Sequence, residues 1–233
     1  MPPVDSTSGA RALLFDVDGT LVDTLSALIP GLGDAYEQFI GFRPSEAEIR
    51  NLIGMPLRVQ MRLFQQPEPS DERVAEMAAF AIQRFEAYKD REREFAPSVE
   101  ALRLLHRNGY KTALVTSKSD VELASFLTRF AASDAVDTTV CASDVENPKP
   151  SPDSAFLACE RLGVSPREAV FIGDSIYDMQ CARSAGIATI AVSYGSSAEE
   201  ALLAEHPDHL IRSPEQLLEW AHGMMRTSCL ERS

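Results

Sequence analysis

The spacing of apolar residues changes at two places along this chain and divides it into three stretches. A short apolar run over residues 12–15 predicts a buried strand. Between about residues 24 and 94, apolar positions recur every three or four residues, which predicts helices alone. After residue 95, short apolar runs alternate with amphipathic segments, and this pattern predicts strands separated by helices.

The middle stretch predicts three main helical segments, at about residues 25–41, 45–54 and 71–89. Pro30-Gly31 interrupts the first segment and should kink or restart the helix. Ser45 and Glu48 match a capping box at the start of the second segment. Ser70 is suited to cap the long third helix.

The third stretch predicts five further strands and six helices. The predicted strands are residues 111–115, 138–141, 169–172, 188–192 and 209–211. The predicted helices are residues 99–107, 121–130, 153–162, 176–185, 198–205 and 214–222. Strands that alternate with helices of this length pair in parallel and carry helices on both faces of the sheet.

The predicted fold is therefore a doubly wound, Rossmann-like α/β parallel sheet with an inserted all-helical cap domain. The α/β core domain is predicted to comprise residues 1–23 and 95–233, and the helical cap domain residues 24–94. Residues 1–10 are predicted to be an irregular tail, since they are rich in Pro and Ser.

Composition and charge exclude several kinds of partner. A net charge of −13 gives a field of the wrong sign for nucleic acid phosphates or an anionic membrane. Neither a signal-like start nor an apolar run of about 18 residues is present, so we expect a cytoplasmic protein. The four cysteines are too scattered for a zinc site or a disulfide framework: Cys141, Cys159, Cys181 and Cys229. A monomer and a homodimer are both compatible with the sequence.

Polar residues follow four of the predicted strands. In chain order they are Asp16 and Asp18, then Thr116 and Ser117, then Lys149, then Asp174, Ser175 and Asp178. Because the carboxyl ends of parallel strands line one edge of a sheet, and ligands bind at that edge, we expect these side chains to converge.

The acids among them predict a magnesium site. Asp16, Asp18 and Asp174 can hold a hard divalent cation if water or phosphate completes the octahedral coordination. Zinc would favour nitrogen or sulfur ligands, which this group lacks.

The remaining groups predict phosphoryl transfer. Thr116, Ser117 and Lys149 offer a hydroxyl, backbone amides and a positive charge, which suit a phosphoryl oxygen. A carboxylate can be the nucleophile and form an aspartyl-phosphate that water hydrolyses. A second acid two residues later can protonate the leaving oxygen and then accept a proton from the attacking water.

Four segments carry a family resemblance: Asp16-Val17-Asp18-Gly19-Thr20, Thr116 at the end of an apolar strand, Lys149-Pro150-Ser151-Pro152, and Gly173-Asp174-Ser175-Ile176-Tyr177-Asp178. In order and spacing they resemble the four motifs of the haloacid dehalogenase superfamily of phosphohydrolases. The resemblance spans nearly the whole chain. It favours the phosphoglycolate phosphatase and β-phosphoglucomutase branch, whose helical cap lies between the first and second motifs, as residues 24–94 do here.

The resemblance implies a role for each core residue. Asp16 would be the nucleophile and a metal ligand, and Asp18 the general acid/base, with its backbone carbonyl on the metal. Asp174 would be a further metal ligand. Thr116 and Lys149 would act in catalysis by binding phosphate, and Lys149 would also steady the nucleophile. The other predicted phosphate- or substrate-binding residues are Gly19, Thr20, Ser117 and Arg58, and the predicted supports of the site are Asp178 and Ser175.

Residue 18 narrows the expected reaction. Relatives resembling true dehalogenases lack an acid at this position, so Asp18 indicates phosphate monoesters or phosphomutase chemistry. We predict a Mg²⁺-dependent phosphatase acting on a small phosphorylated metabolite. The alternatives are a β-phosphoglucomutase-like sugar phosphomutase and a non-catalytic phosphate-binding protein, although the intact acid pair argues against the latter.

Cap residues give weaker signals. Residues 52–58 resemble the loop between cap helices that reaches over the active site in relatives. Arg58 or Arg50 is a candidate to meet a substrate carboxylate or second phosphate, and a solvated helix face is the alternative for each. Lys118 is a candidate to neutralise phosphate, with a surface position as its alternative.

Overall fold

The computed structural model describes the backbone of residues 9–230 and the side chains of residues 9–225. Residues 1–8 of the predicted tail and the Cys229 thiol lie outside these described residues. The strands are β1 (Ala12–Phe15), β2 (Val22–Asp23), β3 (Arg93–Glu94), β4 (Lys111–Val115), β5 (Thr138–Val140), β6 (Ala169–Gly173), β7 (Ala188–Val192) and β8 (His209–Ile211). The helices are α1 (Leu25–Ile40), α2 (Glu46–Arg50), α3 (Leu57–Gln60), α4 (Asp71–Tyr88), α5 (Ala96–Arg107), α6 (Asp120–Leu127), α7 (Asp153–Leu162), α8 (Ile176–Ser184), α9 (Glu199–Ala204) and α10 (Pro214–Leu230).

β1 lies in the middle of a six-stranded sheet of order β5-β4-β1-β6-β7-β8, in which all neighbours pair in parallel. All four side chains of β1 are buried. Leu13 and Phe15 join an apolar cluster on one face, and Ala12 and Leu14 join the cluster on the other. Since helices cover both faces, the predicted doubly wound α/β fold is confirmed.

Helices α1 to α4 pack around an apolar core of their own, which includes Leu32, Tyr36, Met61 and Met77. We call residues 24–94 the helical insert. The chain enters and leaves the insert through β2 and β3, which form a two-stranded antiparallel ribbon. The division of the chain into two domains stays a prediction.

A kink or a restart was predicted at Pro30-Gly31, and the restart is wrong, because α1 continues through Pro30. The neighbouring Gly31 lies so close to α4 that a Cβ there would be 2.5 Å from the Phe85 ring. Proline removes one backbone hydrogen bond from a helix. Close packing of α1 on α4 offsets this loss, and periodicity along a single helix does not reveal such packing.

Some helix ends and two strands also differ from prediction. The ribbon strands β2 and β3 were missed, because two-residue strands carry no detectable alternation. α6 ends at Leu127, and the hydroxyl of Thr128 then donates to the carbonyl of Ser125. α10 continues to Leu230 instead of ending at His222, since Gly223 is tolerated within it.

None of the helices found in residues 9–230 combines the length and apolar character needed to cross a membrane. The three cysteines whose side chains are described, Cys141, Cys159 and Cys181, are buried free thiols.

Candidate active site

Three carboxylates meet at the carboxyl edge of the sheet. Asp16 directly follows β1, Asp174 directly follows β6, and Asp178 lies in the first turn of α8. All three are at most 5% exposed. One oxygen from each carboxylate lies within 4.8 Å of the other two. The parallel pairing of β1 with β6 is what brings Asp16 and Asp174 together.

Lys149 is the cation in contact with this cluster. Its Nζ donates to Oδ1 of Asp16 at 2.7 Å and to Oδ1 of Asp178 at 2.6 Å. A third hydrogen bond, of 2.9 Å, reaches the carbonyl of Val115 at the end of β4. All three ammonium hydrogens are therefore used, and the buried lysine is fixed in one position.

The cluster carries more negative charge than Lys149 compensates. Burial raises the pKa of Asp16 well above its usual value, and neighbouring carboxylates raise it further although Lys149 opposes them. Burial and repulsion from Asp178 raise the pKa of Asp174 to about 7. Burial lowers the pKa of Lys149, but attraction to Asp16 and Asp178 outweighs this and raises it above the ordinary lysine value.

These observations fit a hard divalent cation. The cluster offers carboxylate oxygens, which Mg²⁺ prefers, and Lys149 balances only part of its negative charge. Asp16 and Asp174 belong to the predicted ligand set. Both oxygens of Asp178 already accept hydrogen bonds, from Lys149 and from Ser175, so Asp178 is better placed to support the ligands than to replace them.

Asp174 is enclosed by backbone. Its Oδ2 accepts a hydrogen bond of 2.5 Å from the amide of Ser196. A Cβ on either Gly19 or Gly195 would lie 2.2 Å from the same oxygen. Gly19 also has a φ of +78°, which favours glycine. The two glycines therefore allow the loops after β1 and β7 to close around Asp174.

Gly19 and Thr20 were predicted to bind phosphate, but their backbone amides point elsewhere. The amide of Gly19 donates to the carbonyl of Val22 and that of Thr20 donates to Val17. The Thr20 hydroxyl lies 3.4 Å from Oδ1 of Asp174. In this structure both residues shape the turn that holds the metal-ligand candidates.

Ser175 caps the helix that carries Asp178. Its hydroxyl accepts from the Asp178 amide and donates to Oδ2 of Asp178 at 2.6 Å. The Ser175 amide donates to the same oxygen. This reciprocal capping box fixes the Asp178 side chain opposite Lys149, as a supporting residue would require.

Asp18 lies beside the cluster and faces a lysine. Nζ of Lys118 donates to Oδ1 of Asp18 at 2.8 Å. Lys118 is only 9% exposed, so its alternative surface position is wrong. Burial lowers the pKa of Lys118, but attraction to Asp18 and Glu122 more than offsets this effect and raises it.

A loop of the helical insert sits directly on the sheet edge. The Ser117 hydroxyl, predicted to bind phosphate, donates to the carbonyl of Gly54 at 2.6 Å. A Cβ on Gly54 would lie 2.8 Å from the Cβ of Ser175 and 2.9 Å from the Tyr177 ring. Thr116 is buried at the end of β4, and its hydroxyl accepts from the Lys118 amide.

The insert and the sheet enclose a cavity of about 40 Å³ over the two aspartates of the first motif. The apolar side chains of its lining come from the insert: Leu28, Leu32, Ile53, Met55, Leu57 and Phe85. The polar side chains in its lining are Asp16, Asp18, Ser117, Lys118, Glu122 and Gln60. The cavity therefore connects the candidate nucleophile with a largely apolar roof.

The arginines considered for substrate binding are not brought to this cavity. Arg58 is exposed, and Arg50 pairs with Glu46. Neither belongs to the lining. Gln60 does line the cavity, although it was not among the residues predicted from the sequence. Its buried position after Leu57 in a helical pattern was the available signal.

Comparisons with known proteins agree with this geometry. Residues 13–192 match the family model described as haloacid dehalogenase-like hydrolase. The pyrophosphatase PpaX of Halalkalibacterium halodurans is 31% identical over 210 residues, which cover 90% of this chain and 95% of the relative. The phosphoglycolate phosphatase of Escherichia coli is 28% identical over 229 residues, which cover 89% of this chain and 91% of the relative.

Solved structures show the same fold. A hydrolase from Pseudomonas syringae superposes with a TM-score of 0.81 at 22% identity and covers 90% of this chain and 96% of its own. CbbY from Rhodobacter sphaeroides, solved in complex with phosphate, has a TM-score of 0.74 at 24% identity. The match covers 89% of this chain and 96% of the CbbY chain.

Proposed function

The chain belongs to the haloacid dehalogenase-like hydrolase family and is a phosphatase, and from this premise we propose that it hydrolyses a small phosphate monoester through an aspartyl-phosphate on Asp16. The observation that carries the proposal is the fixed contact between Lys149 and Oδ1 of Asp16, a residue that lines the cavity. The lysine orients the carboxylate and balances part of its charge, which favours attack on phosphorus by the other oxygen.

In the proposed reaction the Asp16 oxygen forms a bond to phosphorus as the bond from phosphorus to the leaving oxygen breaks. Asp18, which lines the same cavity, donates its proton to that leaving oxygen. Asp18 then accepts a proton from the water that attacks the aspartyl-phosphate, and the bond from the Asp16 oxygen to phosphorus breaks, which releases phosphate and restores the carboxylate. Thr116 and Lys149 are the proposed phosphate-binding residues. Thr116 would act through its hydroxyl, and Lys149 through the positive charge that it holds beside Asp16, because its three ammonium hydrogens are already bonded.

Magnesium is the proposed cofactor, and Asp16 and Asp174 are the side chains that would hold it, with the backbone carbonyl of Asp18. When bound, the cation would supply positive charge to the phosphoryl group. Asp178 and Ser175 support the site by fixing Lys149 and the turn after β6.

We further propose that the helical insert acts as a cap. The contact between Gly54 and Ser117 closes the insert over the cavity, where it would exclude bulk water during the reaction. A small substrate is supported by the cavity size and by the names of the relatives, pyrophosphatase and phosphoglycolate phosphatase.

Phosphate release from p-nitrophenyl phosphate and from a metabolite panel tests the proposal. We expect turnover with Mg²⁺, loss of turnover with a chelator, and a loss of at least about 1,000-fold in Asp16→Asn. Asp90→Asn, at an exposed position, is the matched control and should retain activity. Undiminished turnover in Asp16→Asn would contradict the proposal. Isomerisation of a hexose phosphate without phosphate release would favour the phosphomutase instead.

A further inference from the structure

Gln60 lines the cavity over Asp16 and Asp18, and its side chain carries a buried hydrogen-bond acceptor. The residue ends α3 and is 7% exposed. Its Nε2 donates to the carbonyl of Met55 at 2.8 Å, and its backbone carbonyl accepts from the Tyr36 hydroxyl at 2.6 Å. Its Oε1 is buried without a hydrogen-bond partner among the described residues.

The orientation of this amide follows from its contacts. The Met55 carbonyl can only accept, so the NH₂ group of Gln60 must face it. The unpartnered atom is then the oxygen, which needs a donor. A buried polar atom without a partner costs free energy, and a molecule that enters the lined cavity can supply the missing donor.

The charges of the lining limit what that molecule can be. Among the side chains that line the cavity, Asp16, Asp18 and Glu122 are acidic, and Lys118 is the basic one. Nζ of Lys118 is already bonded to Asp18. A second anionic group on the substrate would therefore meet carboxylates and an apolar roof without an uncommitted cation.

We infer that Gln60 is a specificity-determining residue whose Oε1 accepts a hydrogen bond from a hydroxyl or ammonium group on the leaving group. This inference rests on the proposed function and names its substrate class: monoesters of small alcohols that carry a donor. Pyrophosphate and phosphoglycolate, which the names of the relatives would suggest, are then poor substrates for this chain. The small cavity favours leaving groups of few atoms.

Four two-carbon phosphates of nearly equal size test the inference: 2-hydroxyethyl phosphate, 2-aminoethyl phosphate, ethyl phosphate and phosphoglycolate. Pyrophosphate completes the set. For the wild-type protein with Mg²⁺, we expect kcat/KM for at least one of the two donor-bearing substrates to exceed that for ethyl phosphate, phosphoglycolate and pyrophosphate by about tenfold or more.

The Gln60→Leu variant keeps the volume of the side chain and removes the acceptor. We expect it to lower the ratio of kcat/KM between the preferred donor-bearing substrate and ethyl phosphate by about tenfold. Gln65→Leu is the matched control, because Gln65 is also anchored to a backbone carbonyl, that of Met61, but does not line the cavity. The control should leave the ratio within about twofold.

A wild-type preference for phosphoglycolate, pyrophosphate or ethyl phosphate overturns the inference, and so does an unchanged ratio in Gln60→Leu. Either result leaves the proposed phosphatase function intact if p-nitrophenyl phosphate is still hydrolysed. Failure to hydrolyse p-nitrophenyl phosphate and all five test substrates overturns both.

Discussion

Nζ of Lys149 lies 2.7 Å from Oδ1 of Asp16, in a contact where neither side chain is more than 7% exposed. The same ammonium group holds Asp178 and the end of β4. One lysine thus ties together the segments after β1, β4 and β6. The charge balance and the geometry of the candidate nucleophile both depend on it.

Replacing Lys149 with methionine should abolish activity and destabilise the fold. Asp16 and Asp178 would lose their cation while remaining buried, a situation that costs about 3–5 kcal/mol. Urea unfolding of Lys149→Met at pH 8 measures the loss. Lys111→Met, at an exposed position at the start of β4, is the control. Equal stability of the two variants would show that the buried ion pair contributes little.

Replacing Asp174 with asparagine should stabilise the metal-free protein while removing its response to magnesium. The change takes one negative charge out of a cluster in which burial and repulsion disfavour the charged form, and the amide oxygen can still accept from Ser196. Thermal unfolding with and without Mg²⁺ measures both effects. A Mg²⁺-induced rise in Tm that equals the wild-type rise would remove Asp174 from the ligand set.

Replacing Gly54 with alanine should separate the insert from the sheet edge. The new Cβ would meet Ser175 at 2.8 Å, so the loop cannot keep its position. We expect kcat/KM to fall by about tenfold or more, because closure of the cavity is impaired.

Gly109→Ala is the control for that variant. Gly109 has a φ of +88°, against +102° for Gly54, but a Cβ there has open space around it. Both variants carry backbone strain of about 1 kcal/mol, measured by urea unfolding. Only Gly54→Ala should lose activity, and equal activity in the two would argue against closure by this loop.

The lowered pKa of Asp34 predicts that this residue makes a pH-dependent contribution to the stability of the insert. Partial burial raises its pKa, but hydrogen bonds from Arg43, Tyr88 and Arg84 outweigh burial and hold the pKa below the ordinary aspartate value. Because the pKa of Asp34 is lower in the folded than in the unfolded protein, the ionised carboxylate stabilises the fold. This stabilisation is fully present above the pKa of the unfolded state, about 4, and is lost as the pH falls through the pKa of the folded state.

The Asp34→Asn variant tests the direction of this pH dependence. At pH 7 the free energy of unfolding of the variant should be lower than that of the wild type by about 1 kcal/mol, because the ion pairs of Asp34 are lost. The loss is small because solvent screens the partly exposed arginines. The difference should shrink as pH falls from about 4 to 3. Urea unfolding across this range, with Glu200→Gln as an exposed control, measures it. A difference that grows on acidification would contradict the assigned sign.

The sequence predicted the sheet and its polar edge well, for identifiable reasons. The run that ends at Phe15 is wholly apolar because it is buried on both faces, and the carboxylates after it cannot continue such a strand. Capping patterns are equally local, and the box of Ser45 and Glu48 is present in α2. The family resemblance, which rested on these local motifs, is confirmed by the comparisons.

Other features depend on contacts between distant segments and carry no local signal. Lys118 was ambiguous by sequence, because its burial depends on where Asp18 lies. Gly31 resembled a helix break, whereas in the fold it allows close packing on Phe85. Arg58 was a candidate for substrate binding, yet the exposed face of its short helix carries it away from the cavity.

Sequence alone therefore determined the α/β class, the carboxyl-edge acids and the kind of chemistry, because period, capping and strand-end residues are properties of short segments. Only the tertiary structure decided how the cavity is lined. The packing of the insert against the sheet puts Gln60 over Asp16 and Asp18 and leaves Arg58 outside, and the pairing of β4 with β1 brings Lys118 to Asp18. Which residues line the cavity depends on the relative placement of segments far apart in the chain, and hydrophobic periodicity does not encode this placement.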